Sequence, residues 1–157
     1  MRSSPPTEPQ SLPARALGLR PRDWLDLGIA VAELGAARLR LATSERAALL
    51  QPSTPAAEGR AGADRDIERV RIAVARASPR LPWRSDCLVQ AIAARHWLQR
   101  LGVATSLRIG VPAGKREEFE AHAWLTHGDK VITGGDISGY IPIVDSTAAK
   151  GRRTRKG

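Results

Sequence analysis

One thiol and three imidazoles carry the nucleophilic and proton-transfer chemistry open to this chain near neutral pH: Cys87, His96, His122 and His127. Cys87 follows Ser85 and Asp86, two good capping residues, and opens an apolar run, so it falls in the first turn of a helix. Amides without an intrahelical acceptor then point at the sulfur, and the helix dipole favours its thiolate. The same amides can hold a developing oxyanion, typically worth about 3–4 kcal/mol per donor. A free cysteine is more often a small core residue, so the nucleophile needs a base within reach.

The three histidines differ in reach. His96 lies mid-helix, with roughly 13 Å of helix rise between it and Cys87, and reads as structural or exposed. His127 falls at a turn and by strand parity faces away from His122. His122 shares a strand face with Trp124 and is the candidate base. A third group should fix the imidazole tautomer. Asp129 is excluded, because it sits in the turn and five strand residues, about 16 Å, separate His122 from that turn. Asp136 is closer, but only a bulge or break at Gly134-Gly135 turns it toward His122, so such a break is predicted there. One cysteine and scattered histidines lack the paired spacing of zinc sites, so no metal is expected.

These residues need elements to carry them. Trp24, Leu27, Val31, Leu34 and Leu41 recur at helical spacing behind Pro21 and Asp23, which predicts an amino-terminal helix. Prolines and glycines make 51–63 a loop, and Ile67, Val70, Val74 and Ala77 form one face of a second helix ending before Pro79. The helix opened by Cys87 runs to about Leu101, is apolar on more than one face, and stops at Gly102. The period then switches to two: 103–111 and 119–126 alternate as strands. Gly128-Asp129 turns into a third strand at 130–133, and Pro142 confines 140–144 to a sheet edge. Helices followed by antiparallel strands make an α+β domain, a central helix packed on a small sheet.

Length fits one domain, assigned to 21–145, between a Pro- and Ser-rich tail at 1–20 and a basic tail at 146–157, both expected to be unstructured. The net charge of +9 raises the possibility of nucleic acid, yet five basic residues crowd into Lys150, Arg152, Arg153, Arg155 and Lys156. No basic stripe is interleaved with aromatics for base stacking, so a nucleic-acid partner is not expected. A single cysteine excludes an internal disulfide and suits a reducing compartment. The first residues hold no apolar core of signal-peptide type, and Asp26, Glu33 and Arg38 interrupt the longest apolar stretch. The expectation is a cytoplasmic protein without a membrane span.

Cys87-Leu88 at a helix start, Arg108 to Val111, the block Glu120-Ala121-His122-Ala123-Trp124-Leu125 and Tyr140-Ile141-Pro142-Ile143 resemble the B2-type leader peptidases of lasso-peptide biosynthesis. Those enzymes belong to the wider transglutaminase-like (papain-like) cysteine enzymes. The resemblance runs from about Pro82 to Val144, with some likeness in the helix from Trp24. It implies Cys87 as nucleophile, His122 as base and Asp136 as the acidic member, with Trp83 and Trp124 lining the site. It also implies hydrolysis of one bond at the leader–core junction of a precursor peptide, with no cofactor. A separate leader-recognition protein of B1 type would hold the leader, and a macrolactam-forming cyclase would take the product. Two other readings stay open: acyl transfer to an amine by the same Cys-His-Asp chemistry, and a non-catalytic basic binding protein.

Overall fold

The computed structural model describes residues 20–43, 61–113 and 121–146. The tails, most of the 51–63 loop, and Phe119 and Glu120 lie outside the described residues. Three helices precede four strands: α1 (Pro21–Thr43), α2 (Ala63–Ala77), α3 (Cys87–Arg100), β1 (Ser106–Pro112), β2 (His122–His127), β3 (Lys130–Thr133) and β4 (Tyr140–Asp145). The strands form one antiparallel sheet in the order β3-β2-β1-β4, and the chain is α+β. Among the described residues, no helix is long and apolar enough to cross a membrane.

α3 is the central element. Ala91, Ala93, Ala94 and Leu98 are wholly buried because α1 and α2 cover one side and the sheet covers the other. Leu34 of α1, Ile67, Val70 and Val74 of α2, and Leu107, Leu125 and Ile132 of the sheet complete one continuous core. Gly102 ends α3 in the left-handed region, φ 72°, where Val103 N–H bonds back to Leu98 O at 2.9 Å.

Of the five spaced apolar residues of α1 only Leu34 is fully buried, and charged residues share the inward face with it. Trp24 is 54% exposed and Val31 39%, whereas Asp26 and Glu33 are buried at 6% and 5%. Leu27 and Leu41 only flank the core. The inward charges are matched by partners far along the chain. Arg69 Nε donates to both Asp26 carboxylate oxygens at 2.8 and 2.7 Å, while its guanidinium lies 5.6 Å from the centre of the Trp97 ring. Glu33 receives His96 Nδ1 at 2.7 Å and pairs with Arg100. His96 is thereby structural. Breaking a buried ion pair leaves one charge stranded, so Asp26→Ala is expected to cost about 3 kcal/mol. Thermal denaturation should show this as a Tm lower by roughly 10 °C, and an unchanged Tm would mean that Arg69 is fully satisfied by water.

Candidate active site

The loop before α3 holds its first turn in place. Gln90 Nε2 donates to Ser85 O at 2.8 Å, and Gln90 N–H makes the first helical bond to Asp86 O at 3.0 Å. Asp86 is the N-cap in an extended conformation, but its side chain caps nothing; it is turned outward to Arg84 Nε at 3.5 Å. The carboxylate therefore stands off the helix end. Cys87 is the first helical residue and half-buried, with the unbonded amides of the first turn around it.

The second side of the site comes from the end of a ladder. β2 and β3 pair from His127–Lys130 to Leu125–Thr133 with a register shift between Leu125 and Thr126, and the ladder stops short of Gly134 and Gly135, whose φ are 109° and 65°. A break at the doubled glycine is thus present, and it has two consequences. Ala123 N–H, beyond the last β2–β3 pair, donates to Cys87 Sγ at 3.4 Å, so the sulfur sits directly against the residue after His122. The released Gly134 carbonyl turns to the imidazole and lies 2.7 Å from His122 Nε2.

That bond fixes the tautomer. A carbonyl oxygen only accepts, so Nε2 carries the hydrogen and Nδ1 keeps the lone pair of a base. Two aromatics pack beside the ring, Tyr140 at 4.8 Å between centroids and Trp124 at 6.1 Å with planes 24° apart, and with their own centroids 6.4 Å apart the three rings form one cluster. Trp124 is buried over Gly110, where an added Cβ would come within 2.7 Å of the indole, so only glycine fits beneath it. Arg108 Nε pairs with Asp145 at 2.9 Å across β1 and β4 and anchors the strand that presents Tyr140.

Of the residues singled out in the sequence, His122 and Trp124 stack on one another, and the Cys87 sulfur lies against the backbone amide of Ala123 between them. Trp83 is half-buried against Gly35 of α1, 3.9 Å from where a Cβ there would stand. Asp136 is exposed, and its Oδ1 accepts the Ser138 N–H at 2.9 Å, a bond that holds the carboxyl below the usual carboxylate range. The imidazole is instead met by Gly134 O, a backbone group that side-chain spacing cannot reveal. Tyr140 was quoted in the sequence only as the start of a segment that carries the resemblance and was given no place in the site. His127 Nδ1 is spent on Ala104 O at 2.6 Å. Among the described residues, no cluster of three His, Cys, Asp or Glu could hold a metal ion.

The position of Asp136 makes a prediction. Its carboxylate closes the turn that leads to Tyr140, whose N–H bonds Ile137 O at 3.0 Å. Asn can accept the same Ser138 bond, so Asp136→Asn is expected to keep turnover within about threefold and Asp136→Ala to lose roughly tenfold. If Asp136→Asn proves as damaging as loss of His122, the carboxylate charge itself acts on the ring.

A thiol at a helix start beside an oriented imidazole is equipped for acyl chemistry: attack on a carbonyl, a thioester, and proton transfer by Nδ1. No curated protein and no solved structure matches the chain. The family model of the Transglutaminase-like superfamily does match, over residues 31–145, which is most of the chain and spans Cys87, His122 and Gly134; the chain belongs to that superfamily.

Proposed function

We propose that this chain is a cysteine peptidase that removes the leader from a ribosomally made lasso-peptide precursor, working with a separate leader-recognition protein. The observation that supports the catalytic part is the Ala123 N–H to Cys87 Sγ contact at 3.4 Å, made at the residue that follows His122. The peptidase reading, and the lasso-peptide precursor within it, rest on the resemblance of the Cys87, His122 and Tyr140 segments to B2-type leader peptidases.

In this scheme His122 Nδ1 takes the thiol proton, and the Cys87 thiolate attacks the scissile carbonyl carbon. The oxyanion forms near the first-turn amides of α3, while Nε2–H stays on Gly134 O throughout. The imidazolium returns its proton to the leaving amine as the C–N bond breaks, leaving a thioester on Cys87. Nδ1 then draws a proton from water, whose oxygen attacks the thioester, and Cys87 is regenerated with the leader acid released. The core peptide, with a free amino terminus, passes to the macrolactam-forming cyclase. The catalysis needs no cofactor.

The deciding experiment incubates precursor peptide, recognition protein and this chain, and reads product masses. Two fragments whose masses sum to the precursor plus one water establish the peptidase. A product carrying an added amine in place of water makes the enzyme an acyltransferase and overturns the proposal.

A further inference from the structure

The sheet runs past the helix that covers it, and it does so at the sulfur. Along β1, Leu107 is wholly buried, whereas Ile109 and Val111 are half-buried. Leu107 and its partner Leu125 lie in the core with α3. Ile109 pairs with Ala123, whose N–H meets Cys87 Sγ at 3.4 Å where α3 begins. α3 packs on β2 and β3 and only lightly on β1. On the other side of β1, Ile109 pairs with Val144 and Val111 with Ile141 of the edge strand, and Ile141 is 54% exposed.

Alternate residues of a strand share a face, so Leu107, Ile109 and Val111 stand on the α3 side together with their partners Val144 and Ile141. Val144 and Ile141 are three positions apart and share that face because β4 carries an extra residue. The register shifts between Ile109 and Gly110 and leaves Ile143 without a partner on β1. Arg108 and Asp145 pair with each other on the opposite face. The result is an apolar ledge of Ile109, Val111, Val144 and Ile141, free of charged residues from β1 and β4, with Cys87 at its inner corner.

The position of the ledge says what covers it. A peptide whose scissile carbonyl rests on Cys87 has to continue away from the sulfur, and the ledge is the apolar surface that adjoins it. Ile141 is two strands across and two residues along from Ala123, about 12 Å, the reach of roughly three to four extended residues. β4 offers little for strand addition here, because Pro142 has no N–H and Tyr140 N–H is already bonded to Ile137 O. Side-chain contact is the interaction that remains. We propose that Ile141, with Ile109, Val111 and Val144, binds a branched apolar side chain of the precursor three or four residues from the cut bond and so helps to select that bond. The inference rests on the peptidase reading.

The test compares Ile141→Asp, Ile141→Val and Ile143→Asp in the full chain, each with recognition protein and precursor. Ile141→Asp is expected to raise KM at least about tenfold with kcat within about twofold, the pattern of lost binding rather than lost chemistry. Ile141→Val keeps the apolar surface, and Ile143→Asp puts the same charge at the unpaired bulge residue; both should stay within about threefold. Iodoacetamide labelling of Cys87 and the circular dichroism spectrum should be unchanged in all three. Replacing the precursor's apolar residue three or four positions from the cut with Ala should also raise KM, and Ile141→Asp should then add less than it does with the native precursor. An unchanged KM for Ile141→Asp would overturn the inference, and so would an equal rise for Ile143→Asp, which would make the effect one of surface charge. Loss of binding to the recognition protein without precursor would overturn it too, assigning the ledge to that protein. All of these are read on two cleavage fragments; an amine-bearing product from the unsubstituted chain would instead overturn the peptidase reading.

Discussion

Replacing Cys87 with Ala is expected to lower precursor cleavage by on the order of 10^5-fold while leaving the fold in place. Cys87 is half-buried at the start of α3 and is not part of the core cluster, and its sulfur accepts a hydrogen bond from the Ala123 amide. Loss of one weak hydrogen bond to sulfur should move the Tm by only a few degrees. His122→Ala removes the proton acceptor and should cost about 10^2–10^4-fold. The two changes act on one unit, so the double variant should be no slower than Cys87→Ala alone. Rates are read from precursor cleavage by mass spectrometry, with iodoacetamide labelling of the sole thiol as a measure free of substrate. Cleavage by the Cys87→Ala chain at more than a few per cent of the normal rate would sink the thiol mechanism.

The second large effect is expected at Gly134, a residue with no side chain. Its φ of 109° lies outside what other residues adopt, and an added Cβ would collide with the Trp124 Cβ and crowd Ala123 O at 3.2 Å. Left-handed strain alone costs on the order of 1–3 kcal/mol, and here the obstacle is neighbouring strand rather than a flexible tip. Gly134→Ala is therefore expected to lower stability by at least about 3 kcal/mol, or roughly 10 °C in Tm. Because the same peptide holds His122 Nε2, cleavage should fall well beyond what the lost stability explains. Gly135→Ala is the control. It also has positive φ, 65°, but its added Cβ meets nothing within 4 Å, so about 1 kcal/mol is expected with cleavage nearly intact. Equal damage at both positions would mean that the conformation of the turn matters and the carbonyl does not.

Much of this arrangement was legible in the residues because it depends on local chemistry. The face of α2, the start of α3 at Cys87, its stop at Gly102, the Gly128-Asp129 turn and the edge position of β4 each follow from period or from a conformationally special residue. The doubled glycine signalled a broken ladder for the same reason. The orientation of α1 was legible only in part, at Leu34, Leu27 and Leu41. Trp24 and Val31 carry the apolar signal, yet Asp26 and Glu33 go inward, and what makes that affordable is Arg69, His96 and Arg100, dozens of positions away. Pairing across that separation leaves no periodic trace. The group on the imidazole was hidden differently: every residue has a carbonyl, and only the three-dimensional course of the chain shows that Gly134 aims its own at His122.

The bond from Ala123 N–H to Cys87 Sγ joins the sheet to the tip of the central helix through a single proton. That proton is also an exchangeable, spectroscopically addressable nucleus. Its chemical shift and its rate of exchange with deuterated solvent should follow the charge and substitution of the sulfur. A bare thiolate would pull it downfield and protect it, and an acyl group on the sulfur would release it. One amide in the second strand thus offers a non-invasive readout of each stage of turnover, without modifying either reacting group.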